Sequence, residues 1–166
     1  RLNRQLARLR SLPALTQDKT RVSMQANIEL ARDIDGALNA GAEGIGLLRT
    51  EFMFLNRNSL PNEEEQYTLL KAIVEGMQGR PVTIRTFDLG GDKLPTLLDR
   101  KYSMSANPML GLRAVRLSIK EQKLFEVQLT AILRASEYGP LKILLPMISS
   151  VEQIRQVKQI VNRAMA

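Results

Sequence analysis

Two short segments of the chain could bind an anion, because each ends an apolar run with an arginine that is followed by an acid. In the first segment Arg49 is followed by Thr50 and Glu51, and in the second Arg85 is followed within three residues by Asp88. A planar guanidinium group binds a carboxylate or a phosphate through two parallel hydrogen bonds. Two such groups brought together would form a site for a small polyanion.

The elements that must position these arginines are predicted from the apolar pattern. Four apolar runs of the buried-strand type alternate with helical patterns. The predicted strands lie near 22–28, 44–49, 81–87 and 141–147. The predicted helices lie at about 31–40, from Asn62 to about Met77, near 120–138, and from Ser149 onward with Glu152 as its capping partner. This alternation predicts an α/β fold with a parallel sheet, so Arg49 and Arg85 should lie together at the carboxyl ends of their strands.

The composition excludes several kinds of chemistry. The chain has no cysteine, which excludes disulfides and thiolate metal sites, and no histidine, which excludes a histidine general base and a phosphohistidine on this chain. No run of about 18 apolar residues and no signal peptide is visible, so we expect no membrane segment, and a reducing cytoplasm is compatible with the lack of cysteine. Because the first residue is not methionine, we expect a piece of a longer protein.

The net charge of +7 is concentrated at the start of the chain, since residues 1–21 carry six basic groups and one acid. Such a cluster could bind nucleic acid or an anionic membrane, or it could be a solvated helix that joins two domains. We favour the helix and expect no nucleic-acid partner, because residues 1–21 contain no aromatic residue and the sequence has no nucleic-acid fold signature. The predicted organisation is a basic leader over 1–21 and a domain over 22–166.

Several long motifs carry a family resemblance. They read, in order, GAEGIGLLRTEFMFLNRNSLPNEEEQ, VTIRTFDLGGDK, NPMLGLRAVR and QLTAILRASEYGPLKILLPMISSVEQ. Together they resemble the phosphoenolpyruvate–protein phosphotransferases, enzyme I of the bacterial sugar phosphotransferase system, over about residues 20–160. The resemblance implies that the chain forms about the first four βα units of a (β/α)8 TIM barrel that binds phosphoenolpyruvate.

The resemblance also implies roles for single residues. Arg49 and Arg85 match arginines that contact the phosphate of phosphoenolpyruvate, and Arg113 matches another active-site arginine, although a structural role for it is equally open. Pairing of Arg49 and Arg85 with Glu51 and Asp88 is compatible with ligand binding. The turn Gly90-Gly91-Asp92-Lys93, within a predicted loop over 89–108, could cradle phosphate, but the glutamate that the family places after this lysine is missing.

By the same resemblance, the residues that hold Mg²⁺ and the proton donor lie beyond this chain, so we expect no catalytic residue and no metal ligand in it. The parent enzyme would pass phosphate to its own histidine and then to a histidine-containing phosphocarrier protein, and this chain alone would be inactive. A half-barrel also leaves sheet edges open, which predicts a homodimer or another cover. The alternative is a non-catalytic regulatory or dimerisation module with a vestigial anion pocket.

Overall fold

The computed structural model describes residues 8–55, 57, 59–89 and 111–165. Two predicted features, the Gly-Gly turn at 90–93 and all but the first residue of the loop over 89–108, lie outside the described residues. Of the helices that the described residues form, none combines the length and the apolarity that crossing a membrane requires.

The centre of the fold is a four-stranded parallel sheet in the order β1-β2-β3-β4. The strands are β1 (Ala26–Ile28), β2 (Ile45–Arg49), β3 (Val82–Arg85) and β4 (Leu141–Leu144). Each lies within a predicted strand, and the order follows the chain because every strand is connected to the next by a crossover that contains a helix. The prediction of an α/β fold with four successive βα units is confirmed.

Among the described residues, five α-helices pack around this sheet. They are α1 (Ile34–Asn39), α2 (Glu63–Gly76), α3 (Ala114–Lys120), α4 (Gln122–Ala135) and α5 (Val151–Met165). The helix predicted over 31–40 begins with a 3-10 turn at Ala31–Asp33, and the one predicted over 120–138 corresponds to α4 followed by a 3-10 turn at Ser136–Tyr138. Helix α3 lies ahead of the bounds predicted for that helix, which did not include residues 114–119.

Two helix starts show how local side chains set the boundaries. The prediction of Asn62 as the cap of α2 is confirmed, since its side chain accepts from the backbone N–H of Glu65 while the Glu65 carboxylate accepts from the N–H of Asn62. The hydrogen bond from the N–H of Asn62 lowers the pKa of Glu65, and the guanidinium of Arg57 lowers it further by a smaller amount. The cap predicted for α5 is wrong by one residue, because Ser150 accepts from the N–H of Gln153.

Among the described residues, the core consists of two clusters of buried side chains. The first lies between the sheet and α1, α2 and α4. The second joins α3, α4 and α5 beneath the segments that follow β2 and β3, and it contains Phe54, Phe87 and Phe125. The ring of Phe87 packs edge-on against both others, with centroids 5.5 and 6.2 Å apart. Because Phe54 and Phe87 follow β2 and β3, their burial anchors the two segments that leave Arg49 and Arg85.

The leader, residues 1–21, is not a continuous helix in its described part. Leu15 and Arg21 form an isolated antiparallel bridge, so the chain turns back on itself between them. The carbonyl of Arg10 lies so close to Gly41, whose φ is +87°, that a Cβ there would collide with it. The prediction of a solvated helix is therefore wrong for the segment around this bridge, whereas the division of the chain at residue 21 stays a prediction.

Candidate anion-binding site

Arg49 and Arg85 are neighbours across two parallel strands. They are paired residues in the register of β2 with β3, and each is the last residue of its strand. Paired residues in adjacent strands are about 5 Å apart and direct their side chains to the same face of the sheet. The sheet thus brings the two guanidinium groups together at the carboxyl ends of the strands, as the two arginine-containing segments predict. Their role in binding a substrate stays a prediction.

Arg85 is held by two acids that follow the strands. Its Nη2 donates to Oε1 of Glu51 at 2.9 Å, and its Nη1 lies 3.9 Å from Oδ2 of Asp88. The same Glu51 oxygen accepts the backbone N–H of Asp88 at 2.9 Å. Since the side chain of Glu51 is only 9% exposed, this carboxylate is a fixed part of the fold that orients Arg85.

Arg113 is connected to the site through the carboxylate of Asp88. As the residue that precedes α3, it donates from Nε and Nη2 to Oδ1 of Asp88 at 3.1 and 2.8 Å. Asp88 therefore joins Arg113 to Arg85 in one network. Arg113 is not among the described residues that line the cavity beside Arg49 and Arg85, so its contact with a substrate stays a prediction.

The partner of Arg49 differs from the expected one. Its Nη1 donates to Oε1 of Glu29 at 2.7 Å, and Glu29 is the residue that follows β1. Both side chains of this pair are partly open to solvent, at 46% for Arg49 and 36% for Glu29. The expectation that the acid after each arginine would pair with it holds for Arg85, which lies 3.9 Å from Asp88. It fails for Arg49, because Glu51 binds Arg85 and Arg49 pairs with Glu29.

These side chains surround a cavity of about 380 Å³ at the carboxyl ends of β1, β2 and β3. Its described lining residues are Glu29, Arg49, Glu51, Phe52, Leu55, Arg85 and Asp88. The volume lies at the lower end of the range for small-molecule sites. Among the described lining residues the charged ones outnumber the apolar ones, which suits a small and highly charged ligand.

A buried amide that sequence reasoning missed ties the two arginine-bearing strand ends together. Gln128 of α4 is fully buried; its Oε1 accepts the N–H of Phe87 at 3.0 Å, and its Nε2 donates to the hydroxyl of Thr50 at 3.2 Å. That hydroxyl donates to the carbonyl of Arg85 at 2.8 Å. One signal could have revealed this role, namely a glutamine in the apolar stripe of α4, one turn after Phe125.

The electrostatics of the network are balanced. Three guanidinium groups, of Arg49, Arg85 and Arg113, face three carboxylates, of Glu29, Glu51 and Asp88. As far as the described residues go, an anion would therefore bind by exchanging places with a carboxylate or together with a further cation. The described residues contain no group of three acids that could hold a metal ion, and each of these carboxylates is engaged by a guanidinium group, so the described residues do not fit a Mg²⁺ site.

Comparison with known proteins agrees with this geometry. A family model described as "PEP-utilising enzyme, PEP-binding domain" matches residues 3–166. Among curated proteins, the phosphoenolpyruvate-protein phosphotransferase of Haemophilus influenzae is 49% identical over 158 residues, which cover 95% of this chain and 27% of that protein. The phosphotransferase of Priestia megaterium is 47% identical, over 93% of this chain and 26% of that protein. The one of Cupriavidus necator is 44% identical, over 97% of this chain and 28% of that protein. The chain thus spans about a quarter of the length of these relatives.

Proposed function

Because this chain belongs to the family of PEP-binding domains of PEP-utilising enzymes, we propose that it binds phosphoenolpyruvate in the cavity between Arg49 and Arg85. The four parallel strands are the first half of the (β/α)8 barrel of that family, and active sites of such barrels lie at the carboxyl ends of the strands. The observation that carries the proposal is the pairing of the two arginines in register at the carboxyl ends of β2 and β3.

The proposed parent reaction transfers phosphate from phosphoenolpyruvate to a histidine of the same protein and then to a histidine-containing phosphocarrier protein. Support comes from the relatives, whose name is phosphoenolpyruvate-protein phosphotransferase. In such a transfer the protein contributes mainly positioning and charge stabilisation. The two guanidinium groups would hold the phosphoryl group and offset its negative charge while the bond to the enolate oxygen breaks.

Further parts of the proposal concern residues that this chain does not supply. The sequence has no histidine, so the phosphate acceptor must lie on another part of the protein or on another molecule. We propose that the ligands of Mg²⁺ also lie outside this chain, since the described residues do not fit a metal site. The metal would supply charge neutralisation when bound. We also propose that the protein lies in the cytoplasm and takes part in sugar transport, because the motifs of this chain resemble those of enzyme I.

The binding proposal is tested by titrating the chain with phosphoenolpyruvate in a calorimeter. We expect weak but saturable binding that Arg49→Ala weakens about tenfold, because one guanidinium contact to phosphate is lost. We expect no phosphate transfer to a phosphocarrier protein by this chain alone. Absence of binding would favour the non-catalytic module with a vestigial anion pocket, and transfer by the chain alone would contradict the proposed division of the site.

We also propose that the 166-residue chain forms a homodimer through the edge beyond β4. Strand β4 pairs only with β3 in the described sheet, and Leu144, Val151 and Ile154 are exposed beside it. A cavity of about 530 Å³ lies between β4 and α5. Unpaired edges and exposed apolar groups favour association.

Light scattering tests this assembly. A dimeric mass is expected, and Ile154→Glu should shift it towards the monomer, because the substitution puts a charge into the apolar face. Arg155→Glu is the matched control, since it alters charge at the next position, where the side chain is 71% exposed. A monomeric wild-type chain with low binding of a hydrophobic dye would contradict the proposal.

A further inference from the structure

The pair formed by Glu29 and Arg49 occupies part of the surface that the proposed ligand needs. The Glu29 carboxylate lies 2.7 Å from Nη1 of Arg49 and lines the 380 Å³ cavity. We propose that Glu29 is an internal competitor that occupies Arg49 in the free protein and must leave it before an anionic ligand binds, and so sets the affinity of the site. This inference rests on the proposed binding of phosphoenolpyruvate between Arg49 and Arg85.

The three carboxylates of the site differ in how firmly they are held. Glu51 is almost buried and accepts both the guanidinium of Arg85 and a backbone N–H, and Asp88 accepts two N–H groups of Arg113. Among the described residues, the Glu29 carboxylate accepts a hydrogen bond from Arg49 only. Glu29 is also the most exposed of the three acids. It is therefore the carboxylate that can leave at the lowest cost.

The charges along the cavity show why it must leave. The described lining carries two guanidinium groups, of Arg49 and Arg85, and three carboxylates, of which Asp88 is neutralised by Arg113 outside the lining, so these residues offer no net positive charge. A phosphate ester would find Nη1 of Arg49 already engaged by the Glu29 carboxylate. When the Glu29 side chain rotates into solvent, the nearby negative charge falls and the Arg49 donors become available to the ligand.

The movement needs only the side chain. The backbone N–H of Glu29 donates to Oδ2 of Asp33 at 3.1 Å, as does the N–H of Leu30 at 2.9 Å, so the main chain after β1 is fixed. Both hydrogen bonds lower the pKa of Asp33, and the one from the N–H of Leu30 has the larger effect. The Glu29 side chain has three rotatable bonds and partial access to water, which allow the carboxylate to swing away while the strand end stays in place.

The test measures affinity for phosphoenolpyruvate and for orthophosphate by calorimetry in the 166-residue chain. Glu29→Gln keeps the size of the side chain and removes the competing charge. We expect both anions to bind about two- to five-fold more tightly, the range for loss of a partly exposed ion pair. The matched control is Glu43→Gln, because Glu43 pairs with Arg21 before the start of β2, at the other end of that strand.

A double-mutant cycle identifies the mechanism. If Glu29 acts by occupying Arg49, then Glu29→Gln should give no gain in an Arg49→Ala background. Equal gains in Glu29→Gln and Glu43→Gln would show a general charge effect and overturn the inference, and unchanged or weaker binding in Glu29→Gln would also overturn it. Wild-type binding that Arg49→Ala weakens, without a gain in Glu29→Gln, would leave the proposed function intact. If neither wild type nor any variant binds, the proposed function fails together with the inference.

Discussion

Replacing Arg85 with alanine is expected to lower the affinity for phosphoenolpyruvate by at least about 100-fold. Two losses combine in this variant. The phosphate loses a guanidinium that is mostly buried, and Glu51 becomes a nearly buried carboxylate whose remaining donor, among the described residues, is the backbone N–H of Asp88. Truncating one member of a buried, hydrogen-bonded charge pair typically costs about 2–5 kcal/mol, and about 3 kcal/mol corresponds to this factor.

The variant should also be less stable, by about 1–3 kcal/mol, because the remaining acid is poorly satisfied. A second substitution separates the two effects. Glu51→Gln in the Arg85→Ala background removes the stranded charge, so it should restore part of the free energy of unfolding but not the affinity that depends on the Arg85 guanidinium. Arg80→Ala is the control, since Arg80 precedes β3 at the opposite end of that strand. Near-normal affinity in a folded Arg85→Ala chain would contradict the account.

Replacing Gln128 with leucine is expected to weaken phosphoenolpyruvate binding about tenfold although this side chain does not line the cavity. Its amide connects the hydroxyl of Thr50 and the N–H of Phe87, so it fixes the spacing of the strand ends that carry Arg49 and Arg85. Leucine has a similar volume but leaves these two buried groups without their partner. The free energy of unfolding should therefore fall by about 1–3 kcal/mol.

A positioning role for Gln128 predicts more than lost stability. Ile132→Val, on the same buried face of α4, should cost about 1 kcal/mol and leave the affinity unchanged. Thr50→Val should reproduce part of the Gln128→Leu effect on affinity, and the double variant should show less than the sum, since both act on one network. If Ile132→Val weakens binding as much as Gln128→Leu does for the same loss in the free energy of unfolding, then Gln128 contributes only to packing.

The parts of this fold that could be predicted are those encoded by local patterns. The apolar runs that end at Arg49 and Arg85 predicted the strands, and Asn62 predicted the start of α2, because both signals act over a few neighbouring residues. The same-edge position of the two arginines followed from the parallel topology alone. The acid after Arg85 was correctly expected to pair with it.

The missed contacts of the site, and the fold of the leader, depend on segments that are distant in the sequence. Glu29 lies 20 residues before its partner Arg49, and Gln128 lies 78 residues after Thr50, so no local pattern links them. The leader was predicted as a helix from its spaced leucines, yet tertiary contacts near Gly41 accompany a bridge between Leu15 and Arg21. Local propensity is a weak guide where packing decides the conformation.

A crystal structure of the chain with bound phosphoenolpyruvate tests the central claim most directly. The account predicts that phosphate oxygens lie within hydrogen-bond distance of the guanidinium groups of both Arg49 and Arg85, while Arg85 keeps its contact with Glu51. A ligand bound elsewhere, or a phosphate held by neither of these two arginines, would contradict it.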